Sequence, residues 1–170
     1  MKKIYDLPDL FSEQVKELYS AEKQQQSAFK KLFKKIGSEE LQELNKKIIE
    51  KNELHIKRLE DVLEKLGEPK KIIECKAMKE LIDRGLNLSK NCENIEVYEA
   101  GLVSVVQCMK HFEIADYGTL VAFADLLNQK EITEILKKSL VEEETHDKEL
   151  TGLADRSIND RAKLLVVNVD

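Results

Sequence analysis

From Leu7 to Ile36 apolar residues return at helical spacing, at Leu7, Phe11, Leu18, Phe29, Leu32, Phe33 and Ile36, and no glycine interrupts until Gly37. A stripe of that length predicts a helix longer than most in globular proteins, stable only when its apolar side is buried against similar helices. Pro8 suits the opening turn, where a missing N–H costs little, and Gly37 suits the C-terminal cap. A second helix is expected to begin at once, with Ser38 as N-cap and Glu39 and Glu40 placed favourably against the helix dipole. Its buried face is marked by Leu41, Leu44, Ile48, Leu59, Val62, Leu63 and Leu66, and Gly67 with Pro69 ends it. The tight join at residues 37 and 38 makes the two helices an antiparallel pair.

Residues 67 to 94 read as a connection: a Gly/Pro turn, the amphipathic piece CKAMKELIDRGLNLSK, then the polar NCEN. This span is long enough to cross a bundle, so the third long helix, about residues 95 to 127, can run parallel to the second. It is apolar on more than one face near Val103 to Met109, and its middle is expected to be the most buried part of the molecule. Asn128 is a natural cap, and a fourth helix is predicted from about Glu131 to Leu153 on Ile132, Ile135, Leu136, Leu140, Leu150 and Ala154. Two helical hairpins joined by one long crossover carrying a short helix make an all-α, ferritin-like four-helix bundle. Residues 1 to 160 are expected to form that single domain. Residues 161 to 170 form a C-terminal tail whose LLVV is apolar enough to cover a core edge or a neighbouring subunit.

Composition agrees with an all-helical chain: 170 residues carry only two Pro and six Gly, and no Trp. The net charge of −5, with Lys and Glu closely mixed, argues against nucleic acid as a partner, and Lys30, Lys31, Lys34 and Lys35 read as a solvated helix face. Three cysteines, an odd number, point to free thiols in a reducing compartment and hence to a cytoplasmic location. Cys75 and Cys92 flank the connecting helix and are expected to be exposed, whereas Cys108 and Met109 read as core. No apolar run approaches the roughly 18 residues of a membrane span. There is no phosphate-cradling Gly loop, no nucleophile–base pairing and no HExxH, so hydrolase and kinase chemistries have no footing.

At about 100° per residue, few polar side chains share an azimuth with the apolar stripes. On the first helix they are Glu22 and Gln25; on the second, Asn52 and His55, with Glu50 and Glu53 pointing away. On the third they are Lys110 and Glu113, and on the fourth Glu143 and Asp147, with His146 at the margin. Each long helix thus sends a carboxylate or an imidazole toward the bundle axis. Buried charge is expensive, and convergence at one depth is the arrangement of carboxylate di-metal bundles, where cations neutralise the acids. Tyr19 and Tyr117 lie near these positions, at the helical spacing of core aromatics.

Four separated stretches, YSAEKQ at 19 to 24, CKAM from Cys75, KHFEIADYGTL at 110 to 120 and EEETHDKELTGLA at 142 to 154, occur in one order along the chain. Over about residues 6 to 160 they resemble the YciE/YciF group of small bacterial ferritin-like proteins. The resemblance implies a ferritin-like bundle, a homodimer, an association with stress responses and a di-iron or manganese carboxylate site. Its ligand positions correspond here to Glu22, Glu113, Glu143 and Asp147. Two departures matter: Lys110 and Lys51 stand where the family pattern carries acids, and a lysine ammonium cannot ligate a metal without losing its proton. Two readings stay open. In one, Glu22, Glu113, Glu143, Asp147 and His55 or His146 hold iron or manganese in a degraded site. In the other, no metal binds, and Lys110 neutralises the acids of a dimeric scaffold. Whether the chain is an enzyme is left open.

Overall fold

A computed structural model of the chain describes residues 3–163. They form α1 (Leu7–Leu32), α2 (Glu39–Lys65), α3 (Lys76–Asn91), α4 (Ile95–Leu126), α5 (Lys130–Leu153) and, after a π-helical turn at Ala154–Ile158, α6 (Asn159–Lys163), with no strand among the described residues. One expected end moves: α1 stops at Leu32, with Phe33 as its cap, and a 3-10 turn at Phe33–Lys35 follows, so Gly37 is not the cap; Phe33 to Ile36 continue the apolar spacing, which hides the change of helix type. The other expected ends are in place. Ser38 Oγ accepts from the Leu41 amide to start α2, and Asn94 does the same for α4 by accepting from Val97. Gly67 and Asn128 take positive φ, 67° and 56°, where α2 and α4 stop. The α1–α2 join has a further support that periodicity does not reveal: Glu99, buried on α4, accepts from the amides of Gly37 and Ser38 at 2.7 and 2.8 Å.

The core is two apolar clusters rather than one. Phe11, Val15, Leu18, Ile56, Leu59, Tyr117, Leu120 and Leu136 belong to the first; Phe29, Leu32, Leu44, Ile48, Val106, Met109, Leu150 and Leu153 belong to the second. Along each long helix the change of cluster falls at polar residues that are nevertheless buried: Glu22 and Gln25 on α1, Asn52 and His55 on α2, Lys110 and Glu113 on α4, and Ser139, Glu143 and His146 on α5. A polar layer therefore crosses the middle of the bundle. In chain order α1 and α5 pass from the first cluster to the second, while α2 and α4 pass from the second to the first.

The segment between α2 and α3 is pinned along α1. Ile73 N donates to Ser20 Oγ at 2.8 Å, and Cys75 exchanges backbone hydrogen bonds with the Gln24 amide. Cys75 is consequently buried, which corrects the expectation of exposure; its place beyond any helical stripe hid the fact that Gln24 draws it inward. Cys108, expected in the core, is partly exposed, and Cys92 is partly exposed as anticipated. Arg161 of α6 reaches Glu99 Oε2 at 3.3 Å, so the helical structure continues across residue 160; the LLVV of the tail lies outside the described residues.

Gly85 and Gly118 provide a paired test of this packing. A Cβ at Gly85 would come 2.8 Å from Leu32 Cδ2 and 3.2 Å from Val105 Cγ1, whereas nothing lies within 4 Å of one at Gly118. Alanine gains about 1 kcal/mol of helix propensity over glycine, while overpacking a core costs about 1–3 kcal/mol. In urea unfolding, Gly118→Ala is expected to raise stability and Gly85→Ala to lower it; the same sign for both would contradict the close approach of α3.

Candidate metal centre

The polar layer is organised around one buried ammonium. Lys110, fully enclosed, places Nζ 2.7 Å from Glu113 Oε2, 2.7 Å from Glu143 Oε2 and 3.1 Å from Gln25 Oε1. Lys110 and Glu113 meet because residues three apart share a helix face, and Glu143 enters from α5. The other oxygen of Glu113 accepts from Gln25 Nε2 at 2.8 Å, so both its oxygens receive N–H donors, as a carboxylate's do. Burial pushes the Glu113 carboxyl well up, and Glu143 and Glu22 add to the rise, against the pull of Lys110. Burial works against the Lys110 charge too, but Glu113, Glu143 and Glu22 overcome it and raise its pKa.

The second half of the layer lies between α1, α2 and α5. Glu22 accepts from Tyr117 Oη at 2.7 Å and from Asn52 Nδ2 at 2.6 Å. His55 Nδ1 lies 2.9 Å from Glu143 Oε1 and 3.3 Å from Glu22 Oε1, while its Nε2 lies 2.9 Å from Glu142 Oε2. Burial disfavours the charged imidazole, yet Glu22 and Glu143 outweigh it and carry the pKa to about 10. Glu142 closes the layer toward solvent, bound by Arg58 and by Lys51, whose Nζ is 2.7 Å away. Partial burial would raise its pKa, but those two cations and His55 hold it near 2.

Glu22, His55 and Glu143 each offer a donor atom, and the three lie within 4.8 Å of one another, the one such group of three among the described residues. A cation fits here for a reason beyond proximity. Both Glu143 oxygens and His55 Nδ1 sit at ion-pair distance from a partner, yet none makes an aligned hydrogen bond, and the buried Asn52 Oδ1 has no hydrogen-bond partner. Two carboxylates and an imidazole form a mixed O/N donor set of the kind that suits iron or manganese.

The other expected positions divide. Glu113 is in the layer but paired with Lys110. His146 and Asp147 exchange places relative to the expectation. His146 is 5 % exposed, with Nδ1 unpartnered, whereas Asp147 lies toward the edge, 3.3 Å from the exposed His111. The reason is that positions three and four beyond Glu143 flank the same stripe, and packing between helices decides which of them is covered. Burial keeps His146 readily deprotonated, its pKa lowered. Sequence reasoning also passed over a spacing. His55 follows Asn52 by three residues, as His146 follows Glu143, and this i, i+3 pattern is how di-metal bundles present a Glu and a His together, with Asn here replacing one Glu. Glu142 was missed because its partners come from α2, which no pattern on α5 reveals. Tyr117 packs in the core as expected and also donates to Glu22.

Two measurements test the network. Lys110→Met leaves Glu113 and Glu143 without their shared cation and is expected to cost about 3–5 kcal/mol in urea unfolding. Adding Glu113→Gln is expected to recover part of the loss; a Lys110→Met protein as stable as the parent would contradict the network. The folded-state pKa of Glu142, about 2, lies below its ordinary 4.5, so its stabilisation is complete above 4.5 and is lost as pH falls toward 2. The stability gap between the parent and Glu142→Gln is thus expected to be largest near neutrality and to close in acid. A gap that persists at pH 2 would contradict the ion pairs.

Comparison with known proteins finds relatives of the chain in sequence and in fold. The family model described as Domain of unknown function (DUF892) matches residues 6–163. Protein YciF of Escherichia coli strain K12 is 34% identical over 158 residues, covering 92% of this chain and 95% of YciF. The crystal structure of the E. coli stress protein YciF superposes with a TM-score of 0.86 at 32% identity, covering 92% of this chain and 99% of that one. The solved structure of YcfI from Rhodopseudomonas palustris gives 0.85 at 29% identity, covering 88% of this chain and 96% of that one.

Proposed function

Because the chain belongs to the DUF892 family, which it shares with YciF-type relatives, we propose that it is a ferritin-like protein that holds a single divalent metal ion. Glu22, His55 and Glu143 are the ligands, and the Lys110 ammonium stands in the place of a second ion. The observation that carries this reading is the convergence of three donor atoms from three helices, with Glu143 and His55 Nδ1 short of aligned hydrogen bonds. The ferritin-like version of the bundle is supported by α2 and α4 passing between the clusters in the same sense, which makes the connection through α3 the long crossover.

Iron or manganese is the ion we assign, and when bound it supplies one-electron redox chemistry toward oxygen or peroxide. The residues supply the rest. Tyr117 and Asn52 orient Glu22, Glu142 orients His55 through Nε2, and the two apolar clusters keep water from both sides of the layer. A role in stress response, a homodimeric state and a cytoplasmic location belong to this reading through the family resemblance and the unpaired cysteines. Among the described residues no helix is long and apolar enough to cross a membrane.

A second reading is favoured by a specific observation: both His55 nitrogens face carboxylates, the environment of an imidazolium. In that case the proton and the Lys110 ammonium balance the acids, and the bundle is a metal-free scaffold. Elemental analysis after incubation with excess Mn2+ and gel filtration separates the two. The metal reading expects about one ion per chain, lost in Glu143→Ala and rising in Lys110→Glu. A parent protein that elutes metal-free would contradict it.

A further inference from the structure

The buried centre needs a route from solvent, and one face of the bundle offers it. Between α2 and α5 lies a cavity of about 300 Å³ whose walls include Glu50, Lys51, Glu142, Thr145, His146 and Glu149. Glu142 links this cavity directly to the centre, since the same carboxylate group touches Lys51 on the solvent side and His55 Nε2 on the inner side. His146 is the second link. It stands one helical turn from Glu143, is 5 % exposed, lines the cavity, and keeps a buried Nδ1 without a hydrogen-bond partner. Lys110 engages one oxygen each of Glu113 and Glu143, and His146 makes none of the ion pairs of the layer.

Resting on the metal-site reading, we propose that the α2–α5 groove is the inlet for the divalent cation. His146 is the relay ligand that passes the cation from the groove to Glu143, and the Lys51–Glu142 ion pair is the closure over the mouth. The acids Glu50 and Glu149 draw a cation toward the opening, Lys47 and Lys51 oppose it by charge, and Lys51 also holds Glu142 in place. A neutral, buried imidazole is the donor such a relay requires: it binds a divalent ion without first surrendering a proton.

Stopped-flow absorbance of Co2+ binding to the full-length protein tests this, with Lys30→Ala, an exposed α1 lysine, as the control for general surface charge. His146→Ala is expected to slow loading by about tenfold while reaching the parent's final stoichiometry. Lys51→Ala, a surface change that leaves Arg58 holding Glu142, is expected to speed loading, and Lys30→Ala to leave it unchanged. Opposite effects from the two groove variants are what a purely structural role would not produce. Parent-like rates in both, or equal acceleration by Lys30→Ala, would overturn the inlet while leaving the metal site standing. Loss of the final bound Co2+ in His146→Ala at an unchanged initial rate would also overturn it, by making His146 a resident ligand. No Co2+ binding by the parent would instead overturn the metal reading and the inlet with it.

Discussion

The ammonium of Lys110 is the constraint to which the middle of this bundle is built. Two carboxylates, Glu113 and Glu143, approach each other inside a water-excluded layer, and neither could remain ionised there without a cation between them. Lysine supplies that cation permanently, from the same helix face as Glu113. The consequence runs outward. Glu143 is left with one oxygen engaged by Lys110 and the other turned to His55, and in that second half of the layer Glu22, His55 and Glu143 bring three donor atoms together.

The layer also governs how the helices pack. It divides the core into two apolar clusters, and four helices must bring their polar residues to one depth for the hydrogen bonds to close. A shift of any helix by one turn would set Glu22, His55, Lys110 or Glu143 against hydrocarbon, where an uncompensated charge is costly. Supports at the periphery hold the register: Glu99 gathers the amides at the α1–α2 join, and Gln24 ties the connecting segment to α1 one residue before Gln25 enters the layer. The ring of Glu142, Arg58 and Lys51 neutralises the layer's solvent side.

Much of this could be read from residue order. Helical spacing located α1, α2, α4 and α5 because their stripes are long, and α3 as an amphipathic piece of the connection, while the capping residues Ser38, Gly67 and Asn128 marked ends through local chemistry that does not depend on the fold. Azimuth was enough to bring Glu22, Asn52, His55, Lys110, Glu113 and Glu143 into the interior. It failed between His146 and Asp147, because both border the same stripe and only the neighbouring helices distinguish them. It failed as well for Glu142, Glu99 and Cys75, whose surroundings come from distant parts of the chain. Pairing partners across helices is information that periodicity does not contain.

The central claim is that this layer holds one exchangeable cation beside one fixed ammonium. Anomalous diffraction from crystals of the protein soaked in Mn2+ measures this most directly. The account expects a single peak within bonding reach of Glu22, His55 and Glu143, with Lys110 Nζ still between Glu113 and Glu143. A layer without a peak, or two peaks with Lys110 swung away from the acids, would contradict it.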